Sequence, residues 1–320
     1  MRCWKQRDID TLAALRASFL DGTAGAGDYW RTPDELRLYD ETFAERIGWK
    51  IDAVIRGVGA LGWEPQARRV VDWGCGTGIA SRRVLAAWPQ FTEVGLYDRS
   101  SQAVAFARDR LAPVHPHVAL GEVKTDADTL LVVSHVLNEL DPAALERLLE
   151  LVQSAGEVLW VEAGTHADSR RLIAVRERLL ADASWKVVAP CPHRGVCGLL
   201  QAENARHWCH HFAEPPPEVF QSARWAEWSR ALSIDLRALP YSHLVLTRHT
   251  APPTRDAARI LGRPEEGKGH LRILACESAG VHELMLQKRD APDLYRTLRK
   301  TSEPPLQRWQ TDGRKIVGER

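Results

Sequence analysis

With 320 residues, the chain has room for one large α/β domain with additions or for two domains. Its 44% hydrophobic and 27% charged composition is that of a globular protein, and a net charge of +1 excludes a global pull toward nucleic acid, so any basic surface must be local. No apolar run approaches membrane-spanning length, and Met1 to Leu20 carries Asp8 and Asp10 where a signal peptide would be apolar, so a soluble helix is expected there.

Residues 1–66 read as helical. Thr32-Pro33-Asp34-Glu35 has the form of a capping box with proline at the first helical position, and Leu36, Tyr39, Phe43, Ile47, Ile51 and Val54 follow at helical spacing. Gly57, Gly59 and Gly62 interrupt the pattern. From Arg69 the chain alternates strand and helix: a strand into Trp73, a helix from Ile79 to Trp88, a strand from Phe91 to Tyr97 and a helix over 101–111. A weak strand near His117 to Leu120, a buried strand from Thr129 to Val136, a helix behind Asp141-Pro142, a strand from Glu157 to Glu162 and a helix from Asp168 to Leu180 continue the rhythm. Such alternation implies a parallel sheet with helices on both faces.

The first strand runs into Asp72-Trp73-Gly74-Cys75-Gly76-Thr77-Gly78. Glycines at alternate positions let the backbone turn tightly and let a ligand approach, and the helix that follows turns free N–H groups toward it. A dinucleotide turn is spaced Gly-x-Gly-x-x-Gly, whereas here it is Gly-x-Gly-x-Gly behind an acid that suits a cationic amino-acid moiety. Asp98, at the tip of the second strand, is placed to accept hydrogen bonds from ribose hydroxyls; the blander alternative is a cap for the helix that begins near Ser101. Asp72, Gly74, Gly76, Gly78 and Asp98 are therefore the candidate S-adenosylmethionine (SAM) residues, and with the strand–helix alternation they resemble a class I SAM-dependent methyltransferase, a Rossmann-like α/β fold.

Beyond Ala189 the rhythm stops in a segment rich in Cys, His, Pro and Trp. His243 to Arg248 reads as a further strand, a Pro/Arg linker covers Ala251 to Pro264, and Gly269 to Cys276 with Glu283 to Gln287 reads as a β-hairpin. Cys191, Cys197 and Cys209 lie in the loop-like segment, and the hairpin can deliver Cys276 beside them. Four thiolates suit structural zinc or an iron–sulfur cluster, with His193, His207, His210 and His211 as nearby zinc alternatives. Cys3 and Cys75 read as small side chains without a ligand role. His135, Asn138 and Glu139 could line the ligand pocket, His135 as a base, or could only shape a turn; no catalytic residue is nominated.

Ala189-Pro190-Cys191-Pro192-His193 with Cys197, and Trp208-Cys209-His210, resemble the methyltransferase-like small-ribosomal-subunit assembly proteins, which are mitochondrial in eukaryotes and have bacterial members. The likeness extends to Ser134-His135-Val136-Leu137-Asn138-Glu139-Leu140, Tyr241-Ser242-His243-Leu244-Val245-Leu246, Lys268-Gly269-His270 with Cys276, and Tyr295-Arg296, while Gln201 to Arg206 stands as extra loop. The resemblance implies a 4Fe-4S cluster on Cys191, Cys197, Cys209 and Cys276 and a role at the small ribosomal subunit. The partners expected are that subunit and its rRNA, with no membrane. A monomer is expected outside the ribosomal complex, cytoplasmic in a bacterium, with the mitochondrial matrix as the eukaryotic equivalent.

The organisation expected is a helical N-terminal region over 1–66, a Rossmann-like methyltransferase core over 67–250 with a Cys-rich metal-binding insertion at about 189–235, and a β-hairpin with a basic C-terminal tail over 251–320. Lys288, Arg289, Arg296, Arg299, Lys300, Arg308, Arg314 and Lys315 crowd that tail, with Trp309 and Tyr295 as candidate stacking partners for RNA bases; the alternative is a solvated, partly disordered end. The functions in view are an rRNA methyltransferase and a non-catalytic assembly factor that keeps the fold and its cluster, or zinc. A small-molecule methyltransferase explains neither the cysteines nor the tail.

Overall fold

The computed structural model describes residues 4–20, 30–254, 256–300 and 306–319, so Cys3 lies outside the described residues. The chain divides into two units that interleave in sequence, one of Met1–Arg56, Glu64–Val161 and Glu214–Leu239, the other of Gly57–Trp63, Glu162–Ala213 and Pro240–Arg320.

The first unit opens with α1 (Gln6–Leu20), α2 (Pro33–Tyr39) and α3 (Glu45–Ala60). Thr32 caps α2 by accepting from Glu35 N–H, and Pro33 fills the first turn, as the sequence reads. Between α2 and α3 the backbone widens into a π segment, Asp40–Ala44, which turns Asp40 inward. There Asp40 is 2% exposed and pairs with Arg82 and, at 3.1 Å, with Arg110.

Next come β1 (Arg69–Trp73), α4 (Ile79–Ala87), β2 (Glu93–Tyr97), α5 (Ser101–Leu111), β3 (Ala119–Leu120), β4 (Thr129–Ser134), α6 (Pro142–Ser154) and β5 (Glu157–Ala163). Their strands pair in the order β3-β2-β1-β4-β5, every pair parallel, with Val70 opposite both Val94 and Leu130. The continuous apolar runs Leu130–Val133 and Val158–Val161 are wholly buried, as strands covered on both faces must be. Asp141 caps α6 by accepting from Ala144 N–H at 2.7 Å. The order reverses between β1 and β4. In open α/β sheets that switch point, at the carboxyl ends of the strands, is where ligands bind.

The second unit contains α7 (His166–Leu180), β6 (Lys186–Ala189), β7 (His211–Phe212), then, after α8 (Ala223–Ala231) of the first unit, β8 (Pro240–Thr247). β6 and β7 both pair antiparallel with β8. A second sheet follows: β9 (Arg259–Ile260), β10 (Glu265–Gly267), β11 (His270–Glu277), β12 (Gly280–Gln287), α9 (Pro292–Lys300), β13 (Trp309–Asp312) and β14 (Lys315–Glu319), ordered β10-β11-β12-β14-β13 with β9 on β11. β11 and β12 form a hairpin, with β12 starting at Gly280, and its register sets Cys276 opposite Val281.

The chain beyond Arg289 is folded where it is described. Leu294, Tyr295, Leu298, Trp309 and Ile316 join Ile273, Leu284 and Leu286 in one apolar core. This corrects the stacking role expected of Tyr295 and Trp309. At 6% and 5% exposed, neither offers a face to a base, and Trp309 Nε1–H donates to Glu277 at 2.8 Å. Period-two alternation, Trp309 in and Gln310 out, Ile316 in and Val317 out, spends the apolar residues on the core and leaves the cations outside.

Candidate functional sites: a glycine turn and a cysteine nest

In the first unit, Gly74, Gly76 and Gly78 adopt φ of 77°, 51° and 75°, the left-handed region that disfavours any side chain. A Cβ on Gly78 would stand 2.9 Å from Ala107 Cβ, which ties the turn to α5, whereas one on Gly76 would meet nothing within 4 Å. Gly76 is thus the member whose missing side chain leaves open space. The turn hangs on β2: Gly74 and Cys75 N–H both donate to Tyr97 O at 2.8 Å, and Gly76 N–H donates to Asp98 Oδ2 at 2.9 Å. Asp98 also accepts from Ser100 N–H, while Ser100 itself caps α5. Asp98 therefore links the turn to the start of α5 rather than capping that helix.

Asp72 does a job that the sequence does not advertise. Gly78, at the N-cap of α4, has no side chain to cap with, and Asp72 supplies the acceptor from the strand, taking Ser81 N–H at 3.2 Å and the Ser81 hydroxyl. At 1% exposed, it is pushed up to about 6 by burial against the lowering from Ser81. Burial also lifts Glu139 to about 7, more than Arg99 at 3.9 Å offsets, with Asp98 adding to the lift. The Tyr39 phenol is raised by burial and by the charges of Glu139, Asp98 and Asp40. Asp98 is thus within electrostatic reach of Asp72, Glu139 and Tyr39.

His135, directly after β4, has φ 57°, and its N–H donates to Val161 O at 2.8 Å. Its Nε2 lies 3.4 Å from Lys50 Nζ, and burial with the charges of Lys50 and Arg46 holds the ring neutral. Asn138 is exposed and Glu139 half-buried.

In the second unit, the four cysteines that sequence singles out come together. Cys191 follows β6, Cys197 opens a 3-10 turn (Gly198–Leu200), Cys209 precedes β7 and Cys276 sits in β11. Cys197 and Cys276 are buried with Ile173, Leu199, Leu261 and Val281, and Cys209 packs against them. Burial raises the Cys209 thiol far above its ordinary value, and charge on Cys191, Cys197 and Cys276 raises it further. The Cys276 thiol rises in the same way, through burial and then Cys191 and Cys197. Cys197 goes up to about 11, through burial and then Cys191. All five described cysteines are free, and among the described residues no group of three or more His, Cys, Asp or Glu side chains is arranged so that it could hold a metal ion.

The nest is tightly tied. A Cβ on Gly198 would stand 2.6 Å from Val281 N, so the loop lies directly on β12. Asn204 Nδ2 donates to Gly198 O at 2.9 Å, and the Ser169 and Ser242 hydroxyls both donate to Cys209 O. His193 Nε2 is 3.6 Å from Cys276 Sγ and His211 Nε2 3.8 Å from Cys209 Sγ, both rings kept neutral chiefly by burial. Two arginines that sequence reading passes over stand in the nest. Arg176 Nε–H donates to Cys191 Sγ at 3.1 Å, and Arg259 Nε–H to Pro190 O at 3.0 Å. Two guanidinium groups thus stand beside the cysteines.

The parallel order, the switch point and the glycine turn define an α/β protein of nucleotide-binding architecture. The chain belongs to the mitochondrial small ribosomal subunit Rsm22 family, whose sequence profile matches residues 59–303. A search of curated protein sequences finds no match. Among solved structures, PH1948 of Pyrococcus horikoshii, described as a candidate RNA methyltransferase, is similar at 15% identity over 69% of this chain and 87% of its own, with a TM-score of 0.37. The methyltransferase domain of a bacterial Hen1 gives 12% identity over 63% and 99% of the two chains, with a TM-score of 0.40. A ribosomal protein L11 methylase from Lactobacillus delbrueckii subsp. bulgaricus gives 18% over 43% and 69%, with a TM-score of 0.31.

Proposed function

We propose that this chain is a SAM-binding, class I methyltransferase-like protein that acts on or at small-subunit rRNA in ribosome assembly, and that a 4Fe-4S cluster on Cys191, Cys197, Cys209 and Cys276 holds its second unit together. The observation that carries the first half is the Gly74–Gly78 turn at the switch point, open at Gly76 and set in an acidic surround. The adenosine would lie beside Asp98, and the sulfonium and ammonium charges would suit the field of Asp98 and Glu139. The family's description supplies the small subunit and, for a eukaryotic host, the mitochondrial matrix; a bacterial host would place the chain in the cytoplasm. Among the described residues no helix is long and apolar enough to cross a membrane.

Calorimetry tests the ligand. SAM or its demethylated product should bind, and Asp98→Ala should weaken binding by at most a few kcal/mol, the scale of lost charge-assisted hydrogen bonds. Binding of NAD in its place would sink the assignment. A methyl map of small-subunit rRNA with and without the gene separates transfer from binding alone: a missing methyl group makes the chain an enzyme, and an unchanged map makes it an assembly factor.

RNA contact rests on the exposed cations of the last seventy residues. Several are already paired, Arg296 with Asp293 at 2.9 Å and Arg299 with Glu266 at 2.7 Å. Deleting everything after Arg289 would strip Leu294, Leu298 and Ile316 from the core, so charge reversal is the sounder probe. Lys288→Glu, Arg289→Glu, Arg314→Glu and Lys315→Glu together should flatten the fall of rRNA affinity with salt by about 0.9 in log–log slope for each lost phosphate contact to duplex RNA, taking the duplex-DNA value as guide. An unchanged slope would leave these cations as solvated surface.

A further inference from the structure

We infer that Lys50, positioned by His135, takes the carboxylate at the amino-acid end of the ligand and makes the first unit select ligands that carry one. The inference rests on the SAM reading above and concerns the end of the ligand away from the adenosine. It begins with the place of α3. One face of that helix lies on α4: a Cβ on Gly48 would stand 3.0 Å from Ile79 Cγ1, and Glu45 and Asp52 both pair with Arg83. Another face reaches the end of β4, where Lys50 Nζ is 3.4 Å from His135 Nε2. Because α4 follows β1 and His135 follows β4, α3 spans the switch point between those two neighbouring strands. The crevice at such a point is where ligands bind.

His135 is held in place at a cost. Its φ of 57° lies in the region that disfavours a side chain, and the N–H bond to Val161 O at 2.8 Å keeps it there. The next residue presses on the glycine turn, since a Cβ on Gly74 would stand 2.4 Å from Val136 Cγ1. The imidazole thus belongs to the residue beside that contact. An ammonium can only donate, so His135 Nε2 accepts from Lys50 and the proton of the neutral ring belongs on Nδ1. A neutral ring orients the ammonium without cancelling its charge. SAM carries a carboxylate as well as its two cationic groups, and among Asp72, Asp98 and Glu139 that carboxylate is repelled unless a cation faces it. Two nearby arginines are engaged elsewhere, Arg99 with Glu139 at 3.9 Å and Arg46 with Ala238 O at 3.2 Å. Lys50 supplies the charge-assisted bond.

Calorimetry on the full chain compares SAM with decarboxylated SAM, which keeps the sulfonium and the ammonium and lacks only the carboxylate. Lys50→Met should weaken SAM by roughly tenfold to a hundredfold, the scale of a hydrogen bond between charged groups, and leave decarboxylated SAM within about twofold. Lys50→Arg keeps the charge and should retain most of the SAM affinity. His135→Asn, whose new residue tolerates the left-handed backbone, should weaken SAM by less than Lys50→Met and again spare decarboxylated SAM. Unchanged SAM affinity in Lys50→Met, or equal losses for the two ligands in either variant, overturns the inference. Should Lys50→Met fail to fold, His135→Asn decides the matter by whether its loss is confined to SAM. A wild type that binds neither ligand overturns the SAM reading itself, and does so before any variant is compared.

Discussion

On the cluster reading proposed above, the wild type should be brown under anaerobic purification with about four irons per chain, and Cys276→Ser should be colourless. The substitution touches one atom, yet its expected effect is the largest available to a single change. Cys276 lies near the end of β11, but it is paired with Val281 on one side and Arg259 on the other, so its backbone is fixed by the sheet. Cys191, Cys197 and Cys209 come from loops, and the strand is the fixed post to which they are tied. Because ligand sites are seldom preformed in unfolded chains, the metal's binding free energy becomes folding free energy, commonly on the order of 10 kcal/mol for a thiolate centre. Loss of the cluster should therefore also raise proteolysis and amide exchange across 190–212, far from residue 276 in sequence. Cys75→Ser, in the glycine turn, should leave the colour intact. A colourless wild type with one tightly held zinc would keep the four ligands and sink the iron; a metal-free wild type with an unchanged melting temperature would sink both.

The second large effect is a stability gain. Asp72 ionises near pH 6 in the folded chain and near 3.9 in the unfolded one. Between those values the folded state binds the extra proton, so stability falls as pH rises through the window and levels off above it. The accumulated cost at neutral pH is about 3 kcal/mol. Asp72→Asn keeps an acceptor for Ser81 and removes the charge, so it should raise the melting temperature at pH 8 by several degrees and much less at pH 5. An equal shift at both pH values would show that ionisation of Asp72 is not what destabilises the native state. The same variant should bind SAM less well if the acid also serves the ligand's cation, which is the reason the sequence gives for an acid there.

The parallel half was legible because its strands are continuous apolar runs and helices begin at visible caps, Thr32 and Asp141, whereas the cap of α5 is Ser100 and not the Asp98 weighed for it. The cysteines stood out in the sequence because their segment breaks the strand–helix rhythm, yet Cys197 and Cys276 are packed among Ile173, Leu199, Leu261 and Val281, which only pairing distant in sequence reveals. What escaped depends on pairings distant in sequence. Asp40 looks like a solvated residue of a helix until the π segment turns it onto Arg82 and Arg110. Arg176 likewise reads as the polar side of α7, since periodicity alone cannot reveal a buried partner for a charge. Asp72 was picked out as a ligand residue, whereas the hydrogen bonds the structure gives it go to Ser81, nine residues on, and serve the helix. In the last segment net basicity masked a period-two pattern, so Trp309 looked available when it was core.

The interleaving of the two units carries a consequence for synthesis. The segment that completes the glycine-turn unit, Glu214–Leu239, emerges after Cys209 and before Cys276. A nascent chain therefore completes its glycine-turn unit before β11 is made and Cys276 can reach the other three cysteines. On the cluster reading proposed above, metal insertion would fall late in translation. A message cut short in the linker after Thr247 would yield a chain with its turn and Cys191, Cys197 and Cys209 but without Cys276.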